Sequence, residues 1–181
     1  LRLKMTLEEK GLPYTVMQED PKNLSQGFLE SNPSRHFPAF RHNDLSYYKP
    51  SIIGEYLDEL FEYPKLMPEK ADRRARVRLW ADWCDTEFAP LVMKWLTQSA
   101  ELSVDEVKEL DDRLIRALYK IQSGAQRRDF LVSAQLTLAD IHLFPFVWML
   151  HVSSKKPTEY ARFEKLFQWI ERVKSRPSFQ K

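Results

Sequence analysis

Cys84 is the only cysteine of the chain, and its setting decides whether its thiol could act as a nucleophile. A reactive thiol needs an accessible, electropositive environment that lowers its pKa. Cys84 instead falls in a row of apolar residues spaced by three and four positions, which predicts the buried face of a helix. We therefore interpret Cys84 as a structural core residue. A lone cysteine also suits a reducing compartment, so we expect a cytoplasmic protein.

Neither the histidines nor the basic run carries a specific signature. His142 and His151 are nine residues apart, so they do not share a helix face as an i, i+4 metal pair would. Five cations lie between positions 70 and 78, with Asp72 among them and no nucleic-acid motif beside them. We interpret this run as a solvated helix end or a dimer interface. We expect no metal and no direct nucleic-acid partner.

The composition indicates a folded and charge-balanced protein. Of 181 residues, 43% are hydrophobic, which supports a buried core and excludes a disordered chain. Lys and Arg number 28 against 26 Asp and Glu, a balance atypical of proteins that bind phosphate backbones. The longest apolar run, Leu143–Leu150, is interrupted by Pro145 and falls short of the ~20 residues of a membrane span. We expect no membrane partner.

The first sixty residues contain short elements. Residues 1–11 resemble the end of a helix that stops at Gly11, and turn residues at positions 42–44 separate two short strands. Pro50 is tolerated in the first turn of the helix that follows. The predicted elements after the first helix are strand Tyr14–Met17, helix Asn23–Ser31, strand Phe37–Phe40, strand Leu45–Tyr48 and helix Pro50–Leu60.

Beyond a proline-containing segment at 62–69, the pattern is helical throughout. Pro90 lies within the first apolar row and should kink its helix. Ser103 and Thr137 each begin a capping box, and the helix Leu138–Val152 is apolar nearly all round, so it should form the centre of this part. The last helix should carry an inward row and stop at Arg176-Pro177; this row consists of Tyr160, Phe163, Phe167, Ile170 and Val173.

The predicted fold class is therefore α+β. Residues 1–61 form a small α/β unit, residues 62–69 a linker, and residues 70–181 an all-α unit. A complete sheet in the α/β unit would need a further strand before the predicted ones.

Several motifs, in their order and spacing, resemble the cytosolic glutathione transferase superfamily over nearly the whole chain. The motifs are Glu9–Leu12, Asn32–Phe40, Ile52–Asp58, Leu66–Pro68, Leu136–Ile141 and Arg176–Phe179. The resemblance implies a thioredoxin-like first domain, an all-helical second domain and a homodimer. It also implies that about 15 residues precede Leu1, with the first strand and the catalytic Ser, Tyr or Cys. We therefore name no catalytic residue.

The resemblance also implies a glutathione site. The backbone of Phe37 would bind the cysteinyl part of glutathione, and Pro38 would follow a cis bond. The same pair could instead be only the sheet-edge turn of the fold. His36 would lie near the glycine carboxylate, or it is an ordinary surface histidine.

Lys49-Pro50 departs from the family pattern, which has Glu-Ser here to hold the γ-glutamyl end. Lys49 could pair with the γ-glutamyl carboxylate. No residue here replaces the carboxylate that would pair with the amine of glutathione. Ser51 is one position late, so its hydroxyl points elsewhere on the helix. One charged hydrogen bond contributes about 1.5–3 kcal/mol, or one to two decades of affinity.

The leading function is transfer of the glutathione thiolate to a hydrophobic electrophile, with Trp83 as the candidate contact for that co-substrate. The alternative is a non-catalytic binding protein. Tyr56–Glu59 and Leu66–Pro68 also resemble bacterial stringent starvation protein A, which implies association with RNA polymerase. The Pro-His-Pro motif of that group is not matched, because Glu62-Tyr63-Pro64 stands there. A module that docks other proteins is a third possibility.

Overall fold

We describe the fold from a computed structural model, which describes residues 1–180. Within this part the fold contains one two-stranded sheet and is otherwise helical. The helices and strands, in chain order, are α1 (Arg2–Glu9), α2 (Gln26–Ser31), β1 (Phe40–His42), β2 (Leu45–Tyr47), α3 (Pro50–Leu60), α4 (Ala71–Trp83), α5 (Ala89–Gln98), α6 (Val104–Ala125), α7 (Leu138–Val152), α8 (Glu164–Lys174) and α9 (Pro177–Gln180). A π-helical turn, Cys84–Phe88, joins α4 to α5, and a 3₁₀ turn, Tyr160–Arg162, precedes α8.

The first sixty residues pack around a small core between α1 and α3. Leu7 from α1 meets Ile53 and Leu57 from α3 in this core. The strands β1 and β2 pair antiparallel, with Phe40 opposite Tyr47, and Asn43 takes a positive φ of 54° in the turn between them. This hairpin and α3 were predicted, and α3 begins at Pro50 as expected.

Two strand predictions need correction. Residues 14–17 form no strand, because no described segment makes backbone hydrogen bonds with them. The predicted strand Phe37–Phe40 begins only at Phe40, since residues 37–39 form an irregular approach to the hairpin. The helix predicted at Asn23–Ser31 begins at Gln26, because Ser25 accepts a hydrogen bond from the Phe28 amide and caps it.

The kink predicted at Pro90 takes the form of a π turn. The Ala89 amide donates to the carbonyl of Cys84, five residues back, rather than to the residue four back. Pro90 has no amide hydrogen and occupies the first turn of α5, where none is needed. The wider turn keeps Cys84 and Phe88 fully buried on one continuous apolar face.

The helical part is built around α7, as its apolar sequence predicts. Ten of its residues are buried, and its Thr137–Asp140 capping box is present, as is the one at Ser103–Glu106. Asp140 is fully buried and accepts hydrogen bonds from the Leu131 amide and the Trp169 indole, both at 2.9 Å. Helix α8 is shorter than the last helix that the sequence predicts, because Tyr160 lies in the 3₁₀ turn and Phe163 directly precedes α8.

A buried ion pair fastens the N-terminal elements to the segment that follows α3. The Lys10 ammonium donates to Asp58 at 2.6 Å and to the carbonyls of Phe61 and Pro64. Asp58 in turn accepts from the amides of Leu66 and Met67. Every one of these contacts is charge-assisted, so removal of either partner would leave a buried charge unpaired.

Candidate functional site

The predicted glutathione-binding residues lie in a loop and at the start of a helix, and the loop is internally braced. Asn32 is buried, and its side-chain amide donates to the carbonyl of His36 at 2.8 Å. Ser34 donates to the Asn32 side chain at 2.7 Å, and Arg35 takes a positive φ of 55°. These contacts fix the backbone just ahead of Phe37.

Phe37 presents both its side chain and its backbone at the surface. The residue is 49% exposed, and its ring stacks on that of Phe28 with 4.9 Å between centroids. The Phe37-Pro38 bond is cis, which confirms that expectation. Among residues 1–180, no hydrogen bond uses the amide or the carbonyl of Phe37. A peptide ligand could therefore pair with both groups in the manner of a strand.

A ring stack brings this loop beside the start of α3. His36 stacks on Tyr48 with 5.0 Å between ring centroids, and Tyr48 directly precedes Lys49. The structure thus brings together four of the predicted positions, His36, Phe37, Pro38 and Lys49, with Ser51 in the first turn of α3. We call these five residues the cradle.

The α3 end of the cradle favours an anion. Lys49 is exposed and gives the helix no side-chain cap, and the first helical hydrogen bond runs from the Ile53 amide to the Lys49 carbonyl at 2.9 Å. The amides of Ser51 and Ile52 therefore point out of the helix beside the Lys49 charge. A carboxylate is the ligand group that such an end binds.

The cradle offers no carboxylate for a ligand amine. The first carboxylate of α3 is Glu55, one turn further along, and it forms a bidentate pair with Arg78 whose shortest distance is 2.6 Å. Lys49-Pro50 therefore reverses the local charge at the position where the family pattern has Glu-Ser. This end can hold the carboxylate of a γ-glutamyl group and leaves its ammonium in water.

Trp83 lies in a different place, a groove between the π turn and α6. Its ring stacks on Phe88 at 5.4 Å, and the Lys120 ammonium lies 3.7 Å from the ring centroid. Burial lowers the pKa of Lys120, against the opposing charge of Glu87. The groove has a volume of about 360 Å³, and its lining residues are Trp83, Glu87, Phe88, Leu91, Arg113, Arg116, Ala117 and Lys120. None of them belongs to the cradle.

Cys84 and His142 are buried together where α1 meets α7 and the π turn. The Cys84 thiol donates to the backbone carbonyl of His142 at 3.2 Å, and burial raises the pKa of the thiol to about 12. This confirms Cys84 as a structural residue without thiolate character at neutral pH. The His142 ring lies 3.3 Å from the Arg2 guanidinium, and Arg2 also pairs with Asp85.

The other candidates carry no site chemistry in the part of the chain described. The basic run from Lys70 to Arg78 lies at the surface at the start of α4, and Arg78 forms an ion pair with Glu55.

Across residues 1–180, no group of three or more His, Cys, Asp or Glu side chains could hold a metal ion. None of the helices described is long and apolar enough to cross a membrane.

Family models match both parts of the chain. Residues 2–65 match the glutathione S-transferase N-terminal domain, and residues 79–177 match the glutathione S-transferase C-terminal domain. The chain therefore belongs to the glutathione S-transferase family, and its fold, a thioredoxin-like first part with an all-helical second part, is that of the family.

Curated relatives carry two kinds of name. A stringent starvation protein A homolog of Haemophilus ducreyi is 29% identical over 150 residues, which cover 83% of this chain and 69% of that protein. Glutathione S-transferase U9 of Arabidopsis thaliana is 30% identical over 146 residues, covering 77% of this chain and 61% of the relative. The chain thus spans about two thirds of the length of these relatives.

A solved structure matches nearly the whole chain. The Tau class glutathione S-transferase from mango, Mangifera indica, superposes with a TM-score of 0.87 at 24% identity, covering 99% of this chain and 84% of that one. At this identity the likeness establishes the fold. The activity of this chain has to be argued from its own residues.

Two features of the site are not indicated by the sequence. The stack of His36 on Tyr48 joins residues twelve positions apart across the hairpin. The position of Lys120 over Trp83 depends on the packing of two helices. The only local signals for the ring stack are a histidine two residues before Pro38 and a tyrosine two residues before α3. Neither signal is specific.

Proposed function

We propose that this chain binds glutathione in the cradle and transfers its thiolate sulfur to an apolar electrophile. The observation that carries the proposal is the free backbone edge of Phe37 lying beside the exposed amides and the Lys49 charge at the start of α3. The edge suits the cysteinyl peptide unit, and the helix start suits the γ-glutamyl carboxylate. Membership of the glutathione S-transferase family supports the same ligand.

The chemistry would be nucleophilic substitution or addition. The thiol of bound glutathione loses its proton to solvent water, and the sulfur then forms a bond to the electrophilic carbon. With an aryl halide, the halide leaves with its bonding electrons. The cradle contributes binding and orientation of the peptide. Cys84 takes no part, because its thiol is buried and its pKa is raised.

We further propose a co-substrate site at Trp83, a homodimer and a cytoplasmic location. Trp83 with Phe88 provides an aromatic surface in a groove of a size found in small-molecule sites. The family resemblance supports a homodimer formed by the first domain of one chain and the long helices of the other. The single buried free cysteine is compatible with a reducing cytoplasm, where we propose the protein acts.

Restoring the family pair provides the test. The double variant Lys49→Glu/Pro50→Ser adds a carboxylate for the glutathione amine and, at the first residue of α3, a hydroxyl for the γ-glutamyl carboxylate. Its KM for glutathione should therefore fall about 10- to 100-fold. A matched control, Lys65→Glu/Pro68→Ser, changes the same residue types outside the cradle and should leave KM unchanged. Equal KM values for both variants would place glutathione elsewhere.

Trp83 is tested in the same assay with an aryl halide. Trp83→Ala removes the stacked ring, so it should raise KM for the aryl halide several-fold while KM for glutathione stays constant. Trp148→Ala, another half-buried tryptophan of the helical part, is the control. If Trp83→Ala leaves the KM for the aryl halide unchanged, the groove is not the co-substrate site.

The second candidate function is non-catalytic binding of a protein partner. The specific observation in its favour is Lys49-Pro50, because loss of the carboxylate weakens the glutathione site without affecting the fold. The similarity to a stringent starvation protein A homolog supports the same interpretation. Tyr63 is 87% exposed in the segment after α3 and would be available to a partner. Absence of glutathione binding would favour this function.

A further inference from the structure

A second cleft, remote in sequence from the cradle, lies where the end of α6 meets α8. Its volume is about 280 Å³, and its lining residues are Ala125, Gln126, Arg127, Arg128, Asp129, Lys165, Gln168 and Arg172. Seven of these eight side chains are polar or charged. The cleft shares no lining residue with the cradle or with the groove at Trp83.

Four of the lining residues are cations, and their charges are not neutralised. None of Arg127, Arg128, Lys165 and Arg172 takes part in an ion pair within residues 1–180. Asp129 is the one acidic residue of the lining. Elsewhere on α8 the opposite holds, since Lys174 pairs with Glu171 at 2.8 Å. The cleft therefore has a local positive charge of about three.

The fold positions these cations on two sides of the cleft. The Arg172 guanidinium donates through Nε to the backbone carbonyl of Asp129 at 2.6 Å, which leaves its outer nitrogens available. Lys165, Gln168 and Arg172 lie three and four positions apart on α8, so they form one stripe of donors. Arg127 and Arg128 follow the end of α6 and supply the opposite wall.

We propose that this cleft binds a small multivalent phosphate anion, such as the oligophosphate chain of a nucleotide. Guanidinium groups match phosphate oxygens in bidentate geometry, and three of the four cations are arginines. The volume lies just below the roughly 300–1,000 Å³ of sites for drug-sized ligands, which favours a compact anion. The Asp129 carboxylate and the carbonyl end of α6 oppose binding, so more than one phosphate charge is required.

Calorimetric titration with inorganic tripolyphosphate, and separately with ATP, tests this proposal on the full natural protein at low ionic strength. We expect binding below about 1 mM for tripolyphosphate, and at least tenfold weaker binding for Arg127→Gln/Arg128→Gln. The control Arg73→Gln/Arg76→Gln removes the same charge from the basic run on α4 and should bind like the wild type. Added salt should weaken binding, because Arg127, Arg128 and Lys165 are exposed and Arg172 is partly exposed.

The two titrations also distinguish the source of the phosphates. Equal affinity for tripolyphosphate and ATP assigns recognition to the phosphate chain, whereas tighter binding of ATP means that the nucleoside adds contacts; both support the proposal. Two results would overturn it: no binding of either anion at several millimolar, or the same loss of affinity in both double variants. The latter would show attraction to the overall charge of the protein.

Discussion

At the scale of single residues, the cradle would bind a ligand through backbone atoms and one lysine charge, so the positions of these groups decide whether it binds. Phe37 contributes backbone atoms, and Lys49 contributes a charge beside two helix amides. The sequence could indicate these residues because they occupy positions in the motifs that resemble the family. It could not indicate the His36–Tyr48 stack or the Asn32 brace, because both join residues through the folded chain.

His142 provides a prediction about pH. Burial above all, and then the charge of Arg2, lowers its pKa to about 4, with Asp85 opposing, while the unfolded value is about 6.5. The unfolded state therefore binds more protons between these values, so stability present above pH 6.5 is lost as pH falls towards 4. The lowered pKa corresponds to a change of about 3 kcal/mol in the free energy of unfolding.

Urea unfolding at pH 7 and pH 4 measures this contribution. His142→Asn keeps a polar atom near Arg2 and does not titrate, so its free energy of unfolding should fall about 3 kcal/mol less over this range than that of the wild type. His36→Asn, at an exposed site, is the control and should behave like the wild type. Identical pH dependence in all three proteins would refute the assignment to His142.

At the scale of elements, periodicity and capping residues predicted most helices. Thr137 and Asp140 set the start of α7, and Pro50 sets the start of α3. The sequence did not predict the π turn, since Pro90 indicates a kink without saying how the backbone accommodates it. It also misassigned residues 14–17, because a strand depends on a neighbour that local sequence does not specify.

Gly124 and Gly27 are helical glycines with opposite surroundings. A Cβ at Gly124 would lie 2.9 Å from the Trp80 ring and 3.3 Å from Leu131, whereas one at Gly27 meets nothing within 4 Å. Gly124→Ala should therefore destabilise the fold by about 1–3 kcal/mol, despite the better helix propensity of alanine. Gly27→Ala should stabilise it by about 0.4–1 kcal/mol. Thermal unfolding compares them, and equal shifts in one direction would contradict the packing seen at Trp80.

At the scale of the whole molecule, the fold places the cradle on the N-terminal elements and the Trp83 groove on the helical part. Lys10 and Asp58 fasten the N-terminal elements to the segment before α4, and Glu9 pairs with Arg176 at 2.6 Å next to α9. Neither ion pair could be found from sequence, because each partner is an ordinary charged residue of its helix. The proposed homodimer belongs to this scale as well.

Leu79 tests the proposed dimer. It is 67% exposed on α4, among the long helices that the proposal places in the interface, so Leu79→Asp should introduce a buried charge there and yield monomers. Val104→Asp alters a residue 86% exposed at the start of α6 and should leave the dimer intact. Sedimentation equilibrium at micromolar concentration measures the mass. A monomeric wild type, or a dimeric Leu79→Asp, would contradict the proposed assembly.

The most direct measurement is calorimetric titration of reduced glutathione into the full natural protein. The cradle predicts a dissociation constant below about 1 mM, equivalent to about −4 kcal/mol, and a tightening of about 10- to 100-fold in Lys49→Glu/Pro50→Ser. No heat at several millimolar glutathione, in the wild type and in the restored variant alike, would contradict the proposal that this chain is a glutathione transferase.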